Sequence, residues 1–213
     1  MAIIYAFGDS ITYGAWDIKK SGWATQLRQF LDDLQEKNPD YYCLFYNLGI
    51  PGETTDGLVK RFENELTARE REGEEAVFIF AFGANDAAYL SNEKSLRVSK
   101  EDFKINLEKV IKKATVISKK ILIVNILPVI EKMNSTPRNG KIRLNKYMDE
   151  YNYVLREMAD QFKVRLIDVN SVFMKVGHEN LFIKDDGLHP NDEGHRIMFE
   201  TIKPIVQELI GWN

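Results

Sequence analysis

Ser10 stands in Phe7-Gly8-Asp9-Ser10-Ile11-Thr12-Tyr13-Gly14, directly after an apolar run and a glycine. A serine hydroxyl attacks a carbonyl usefully only beside a base. The same residue type also caps helices well, and Ser10 read alone fits both uses equally. Thr12 holds the place of the second glycine in a Gly-x-Ser-x-Gly elbow, so that motif is absent. Three histidines can supply a base: His178, His189 and His195. His189 lies in Asp185-Asp186-Gly187-Leu188-His189-Pro190, where Asp186 sits three residues earlier across a glycine turn. A carboxylate on one ring nitrogen sets the tautomer and steadies the imidazolium. Pro190 is expected to open the last helix and seat His189 at its entrance. His195 is read as a surface or packing residue, and His178 as solvated.

Acyl chemistry on serine also needs donors for an oxyanion. Gly49, in Asn47-Leu48-Gly49-Ile50-Pro51-Gly52, can expose a backbone N–H with no side chain in the way. Asn85, in Phe82-Gly83-Ala84-Asn85-Asp86, can offer its side-chain amide. Each segment alone also reads as ordinary turn chemistry. A metal reading of Asp186, His189, Asp192 and His195 has no familiar ligand spacing, and no metal or cofactor is expected.

These residues must be held by a scaffold. Five short apolar runs read as buried parallel strands: Ile3–Phe7, Tyr42–Leu48, Ala76–Phe82, Ile121–Leu127 and Val164–Val169. Helical spacing recurs between them, in Trp23/Leu27/Leu31/Leu34, Phe103/Leu107/Val110/Ala114 and Tyr147/Tyr151/Val154/Met158. Ser99 before Asp102 resembles a capping box. A last pattern runs from Ile197 to Ile210, with a break or kink expected at Pro204. Alternation of strand and helix predicts an α/β fold: a three-layer α/β/α sandwich around a flavodoxin-like five-stranded parallel sheet, order 2-1-3-4-5. A single domain over 1–213 is expected. Every candidate residue then falls at the carboxyl edge of the sheet, where such folds bind ligands. Two long segments follow strands on that edge, Asp86–Val98 and Pro128–Gly140. Tyr13, Trp16 and Tyr89 are the candidate pocket residues there, with Lys132 and Arg138 as basic neighbours.

Composition narrows the classes. The 29 Lys and Arg against 32 Asp and Glu give −3, so no basic footprint for nucleic acid is expected. Cys43 is the only cysteine, which excludes an internal disulfide, and it reads as a small buried side chain. No apolar run approaches a membrane span. The first residues run straight into the Ser10 motif without a basic n-region, so no signal peptide is read and a cytoplasmic location is expected.

The four stretches together resemble the SGNH hydrolases, also called the GDSL esterase/lipase family. Gly8-Asp9-Ser10-Ile11-Thr12 is similar to the nucleophile block, Asn47-Leu48-Gly49 and Gly83-Ala84-Asn85-Asp86 to the two oxyanion blocks, and Asp186-Gly187-Leu188-His189-Pro190 to the acid–base block. Ile11 stands where the family's nickname has leucine. The resemblance implies Ser10 as nucleophile, His189 as base, Asp186 as its orienting acid, and an oxyanion hole from the N–H groups of Ser10 and Gly49 and the Asn85 amide. Asp9 and Thr12 are the expected supporting residues. It implies a serine ester hydrolase acting through an acyl-enzyme on a small-molecule acyl ester: an acetyl or other short acyl ester, an acetylated sugar, a lysophospholipid or a thioester. Two rivals accompany it. An acyltransferase would pass the same acyl group to a sugar or alcohol, which a product assay with excess acceptor separates. A non-catalytic binding protein would not react with a fluorophosphonate. Oligomeric state is not legible.

Overall fold

The computed structural model describes residues 2–38 and 40–212. In chain order the elements are β1 (Ala2–Gly8), α1 (Ser10–Tyr13), α2 (Gly22–Lys37), β2 (Cys43–Gly49), α3 (Thr55–Thr67), β3 (Glu75–Ala81), β4 (Tyr89–Leu90), β5 (Ser95–Leu96), α4 (Lys100–Ile117), β6 (Ile121–Val124), α5 (Glu131–Asn134), β7 (Lys141–Ile142), α6 (Asn145–Phe162), β8 (Arg165–Ile167), α7 (Val169–Val176), a 3-10 turn at His178–Leu181, and α8 (Asp192–Ile210). Five parallel strands pair in the order β2-β1-β3-β6-β8, the expected 2-1-3-4-5 arrangement.

Strand alternation divides the core into two layers. Ile3, Tyr5 and Phe7 of β1, with Phe78 and Phe80 of β3, point to the side where α3, α4 and α6 bring Phe62, Phe103 and Tyr151. Ala2, Ile4 and Ala6, with Val77 and Ile79, point to the side of α2 and α8, against Trp23, Leu27, Met198 and Ile202. The first layer is a stack of rings, Tyr5 on Phe78 at 5.5 Å and Phe7 on Phe80 at 5.8 Å between centroids. Each such fully buried ring contributes about 1.5–3 kcal/mol from area alone. This two-sided packing makes the sheet a rigid shelf for the residues at its carboxyl edge.

Several expectations are corrected. β6 ends at Val124, not Leu127. There the Asn152 side chain takes over the backbone pairing of Ile126, accepting from its N–H at 2.7 Å and donating to its carbonyl at 3.0 Å. β8 ends at Ile167, and Val169 opens α7, because Asp168 caps that helix through the N–H of Ser171 at 3.0 Å. Pro190 lies outside the last helix. Asn191 is the cap, accepting from the N–H groups of Glu193 and Gly194, and α8 begins at Asp192. Pro204 does not break α8. It lies on the exposed face, so the Glu200 carbonyl it leaves without a helical donor faces water. The capping box holds: Ser99 Oγ accepts from Asp102 N–H at 3.0 Å. The two long segments on the active edge are partly ordered, as α5 and as a small antiparallel sheet β5-β4-β7.

Candidate active site

Ser10 is the first residue of α1, immediately past the end of β1. Asp9 caps this short helix, its Oδ1 accepting from Ile11 N–H at 2.9 Å. The Ser10 N–H therefore lies at a helix start with no intrahelical acceptor. Two glycines allow the turn by close approach. A Cβ on Gly8 would lie 2.0 Å from Thr12 Oγ1, and one on Gly49 would lie 2.2 Å from the Tyr13 amide nitrogen. Thr12 packs on Gly8 and is fully buried, and its carbonyl accepts from Asn47 Nδ2 at 2.9 Å.

The Asp186–His189 segment is a tight turn before α8. Ile183 carbonyl accepts from Asp186 N–H, and Ile183 N–H donates to the His189 carbonyl at 2.9 Å. Gly187 has φ +66° and presses against Ile130, Met133 and Asn134 at α5, and Asn134 Nδ2 donates to the Asp186 carbonyl at 3.0 Å. This seating brings residues 179 positions apart together: Ser10 Oγ lies 2.9 Å from His189 Nε2. His189 Nδ1 lies 2.7 Å from Asp186 Oδ2, which also accepts from His189 N–H at 2.8 Å. Burial pushes the Asp186 carboxyl up, but the hydrogen bonds from His189 and the charges of His189 and Arg138 outweigh it and hold it below the usual carboxylate range. An ionised Asp186 only accepts, so the proton sits on Nδ1 and leaves Nε2 free to accept from the Ser10 hydroxyl.

Asn85 reaches the same place from the end of β3. Its Nδ2 donates to Asp9 Oδ2 at 3.2 Å, and Arg143 Nη2 lies 3.5 Å from its Oδ1. Those two contacts fix which way the amide faces and leave one Nδ2 hydrogen for a ligand. Gly49 is engaged differently: its N–H donates to Asn47 Oδ1 at 3.0 Å. The loop after it is braced by Arg61, whose Nη2 donates to the Leu48 carbonyl at 2.6 Å and which pairs with Glu53.

Trp16 and Tyr13 are exposed, and Trp16 stands edge-on to His189 at 6.4 Å between ring centroids. Tyr89 stacks on Tyr147 of α6 at 6.0 Å. Arg138 donates to the Asp185 carbonyl at 2.9 Å, beside the Asp186 carboxylate. His195 is fully buried and accepts from Trp23 N–H at 3.3 Å, a packing position, and His178 is half-buried with its ring edge against Phe182. Asn47 and Arg143 were given no role of their own from the sequence. Asn47 opens the very block that holds Gly49, whereas nothing in the sequence links Arg143 to Asn85.

A serine at a strand end, a histidine on it and a carboxylate behind the histidine, on a five-stranded parallel sheet, define a serine hydrolase of the SGNH class. The model of the GDSL-like Lipase/Acylhydrolase family matches residues 6–197, and the chain belongs to that family of ester hydrolases. It is 30% identical to the "Uncharacterized lipoprotein YqeF" of Bacillus subtilis (strain 168), over 94% of this chain and 87% of that protein. It is 26% identical to the "Isoamyl acetate-hydrolyzing esterase 1 homolog" of Bos taurus, over 97% of this chain and 82% of that one. The fold is similar to the crystal structure of the lipase/acylhydrolase from Enterococcus faecalis, with a TM-score of 0.74, 24% identity, and coverage of 98% of this chain and 96% of that one. Among the described residues, no helix is long and apolar enough to cross a membrane, and no group of three or more His, Cys, Asp and Glu side chains could hold a metal ion.

Proposed function

We propose that Ser10 is the nucleophile of an acyl-enzyme mechanism, with His189 as general base and acid and Asp186 as its orienting partner. The observation that carries this is the unbroken chain from Ser10 Oγ to His189 to Asp186, at 2.9 and 2.7 Å. His189 Nε2 takes the hydroxyl proton as Oγ bonds to the ester carbonyl carbon. The carbonyl π electrons move to oxygen. That oxyanion is met by the Ser10 N–H and by the free hydrogen on Asn85 Nδ2, with the Gly49 N–H shared between it and Asn47. Collapse of the tetrahedral species expels the alkoxide, which takes the proton from His189. Water then enters by the same route and frees Ser10.

The substrate side is a small acyl ester. Tyr13, Trp16 and Ile18 are exposed apolar side chains around one surface depression, with Trp16 edge-on to His189, and would receive an alkyl portion of it. The bovine relative's name, which specifies isoamyl acetate, is in keeping with a short acyl group. Hydrolysis of p-nitrophenyl acetate by wild type and by Ser10→Ala, with circular dichroism to check folding, tests the reading. Folded Ser10→Ala is expected to show no enzymatic rate. A rate equal to wild type would overturn the assignment.

A further inference from the structure

The small sheet beside the site gathers three cations, Arg97, Lys141 and Arg143, and the proposed ester chemistry draws only on Arg143, through Asn85. Tyr89 of β4 pairs with Leu96 of β5 on one side and Ile142 of β7 on the other. One residue along, Arg97 N–H donates to the Ala88 carbonyl at 2.9 Å, and Arg143 directly follows β7. Lys141 lies in β7 two residues before Arg143, near enough for the charges of Arg97 and Arg143 to act on it. Arg97 Nη1 donates to the Gly52 carbonyl at 2.8 Å, in the loop that follows Gly49. Arg143 is only 9% exposed, and among the described residues its one side-chain hydrogen bond is the 3.5 Å contact to Asn85 and its Nε has no partner.

Among the described residues, none of the three cations pairs with a carboxylate. Burial first, with the charges of Arg97 and Arg138 adding to it and those of Asp9 and Asp186 acting against it, holds the Arg143 guanidinium below the usual arginine range. Burial first, then the nearby charges of Arg97 and Arg143, hold the Lys141 ammonium below the usual lysine range. Buried and half-buried cations gathered without an ion-paired carboxylate are unfavourable unless a ligand supplies one. The planar arginine fork suits a carboxylate or phosphate above other anions.

We propose that Arg97, Lys141 and Arg143 form an anion subsite on the rim of the catalytic cleft, and that the preferred substrate is an acyl ester carrying a carboxylate or a phosphate. This rests on the ester-hydrolase reading of Ser10.

Matched esters test it. 4-Acetoxybenzoate and 4-acetoxyphenyl phosphate, each against phenyl acetate, place a carboxylate or a phosphate in the alcohol part. Monomethyl adipate against methyl hexanoate places a carboxylate in the acyl part. In at least one pair kcat/KM is expected to favour the anionic ester by about tenfold or more at low salt, and the preference is expected to shrink as salt rises. The double variant Arg97→Gln/Lys141→Gln is expected to bring that ratio close to one. Lys113→Gln, which removes a charge from the exposed pair with Glu63, should not move it. No preference in any pair, or a preference that survives the double variant, overturns the proposal. Calorimetry with inorganic phosphate reads the subsite without turnover: wild type is expected to bind and the double variant not. Phosphate binding in a protein inert toward every ester would sink the hydrolase reading and leave the subsite standing.

Discussion

Asp9 Oδ2 accepts a hydrogen bond from the Asn85 side-chain amide at 3.2 Å, joining the residue before Ser10 to the proposed oxyanion donor 76 positions away. The contact makes Asp9 both the cap of α1 and the orienter of Asn85. Asn85→Ala should lower kcat by about 10²–10³, or ~3–4 kcal/mol of transition-state stabilisation, with a much smaller change in KM. Asp9→Asn should lower kcat less, because a primary amide facing Asn85 weakens the orientation without removing the donor. Steady-state kinetics on p-nitrophenyl acetate distinguish the two.

Asp186 receives both the ring and the backbone N–H of His189. Asp186→Asn offers an amide where the imidazole needs an acceptor, and permits the tautomer with the proton on the wrong nitrogen. The expected loss in kcat is about 10⁴. A drop of less than tenfold in the folded variant would show that Asp186 does not set the tautomer.

Gly49 touches the backbone of α1, and a Cβ there would meet the Tyr13 nitrogen at 2.2 Å and the Asp9 carbonyl oxygen at 2.8 Å. Neither atom can move without shifting Ser10. Gly49→Ala should therefore destabilise the fold by about 1–3 kcal/mol, as overpacked cores do, and reduce activity as well. Urea denaturation beside kinetics reads both. Gly52→Ala is a control in open space, although its φ of +78° adds backbone strain without a clash.

Asp86 is fully buried, and its Oδ1 accepts from Thr55 N–H at 2.9 Å and from the Thr55 hydroxyl at 2.6 Å, whereas Oδ2 has no partner. Burial pushes its carboxyl up to about 6 against the hydrogen bonds from Thr55. The neutral form is thus favoured in the fold. Its contribution to stability is complete below the unfolded value, near pH 4, and is lost as pH rises through about 6. A difference of about two pH units corresponds to roughly 2–3 kcal/mol. Asp86→Asn keeps the acceptor and removes the ionisation. It should be more stable than wild type at pH 8, with the gap closing by pH 4. Thermal melts across that range test it. The neighbouring Asp9, also pushed up to about 6 by burial, adds a cost of the same sign in both proteins.

The strands were legible because buried parallel strands are continuous apolar runs, and β1, β2 and β3 match their expected spans to within a residue or so. β6 and β8 end early because Asn152 and Asp168 compete for the backbone, and a run of apolar letters does not record that competition. Helix α3 was not read from the sequence, although Leu58, Phe62 and Leu66 recur at four-residue spacing. The serine, histidine and carboxylate were readable from local chemistry at strand ends. Arg143 was not, because its relation to Asn85 exists only once β7 pairs with β4. Tyr89 illustrates the limit for aromatics: its place on the active edge was right, but its ring stacks on Tyr147.

The most direct test of the central claim is mass spectrometry of the protein after exposure to a fluorophosphonate. The account predicts one covalent adduct, located on Ser10, absent in Ser10→Ala and strongly slowed in His189→Ala. An adduct on another residue, or none on a folded wild-type protein that hydrolyses esters, would contradict it.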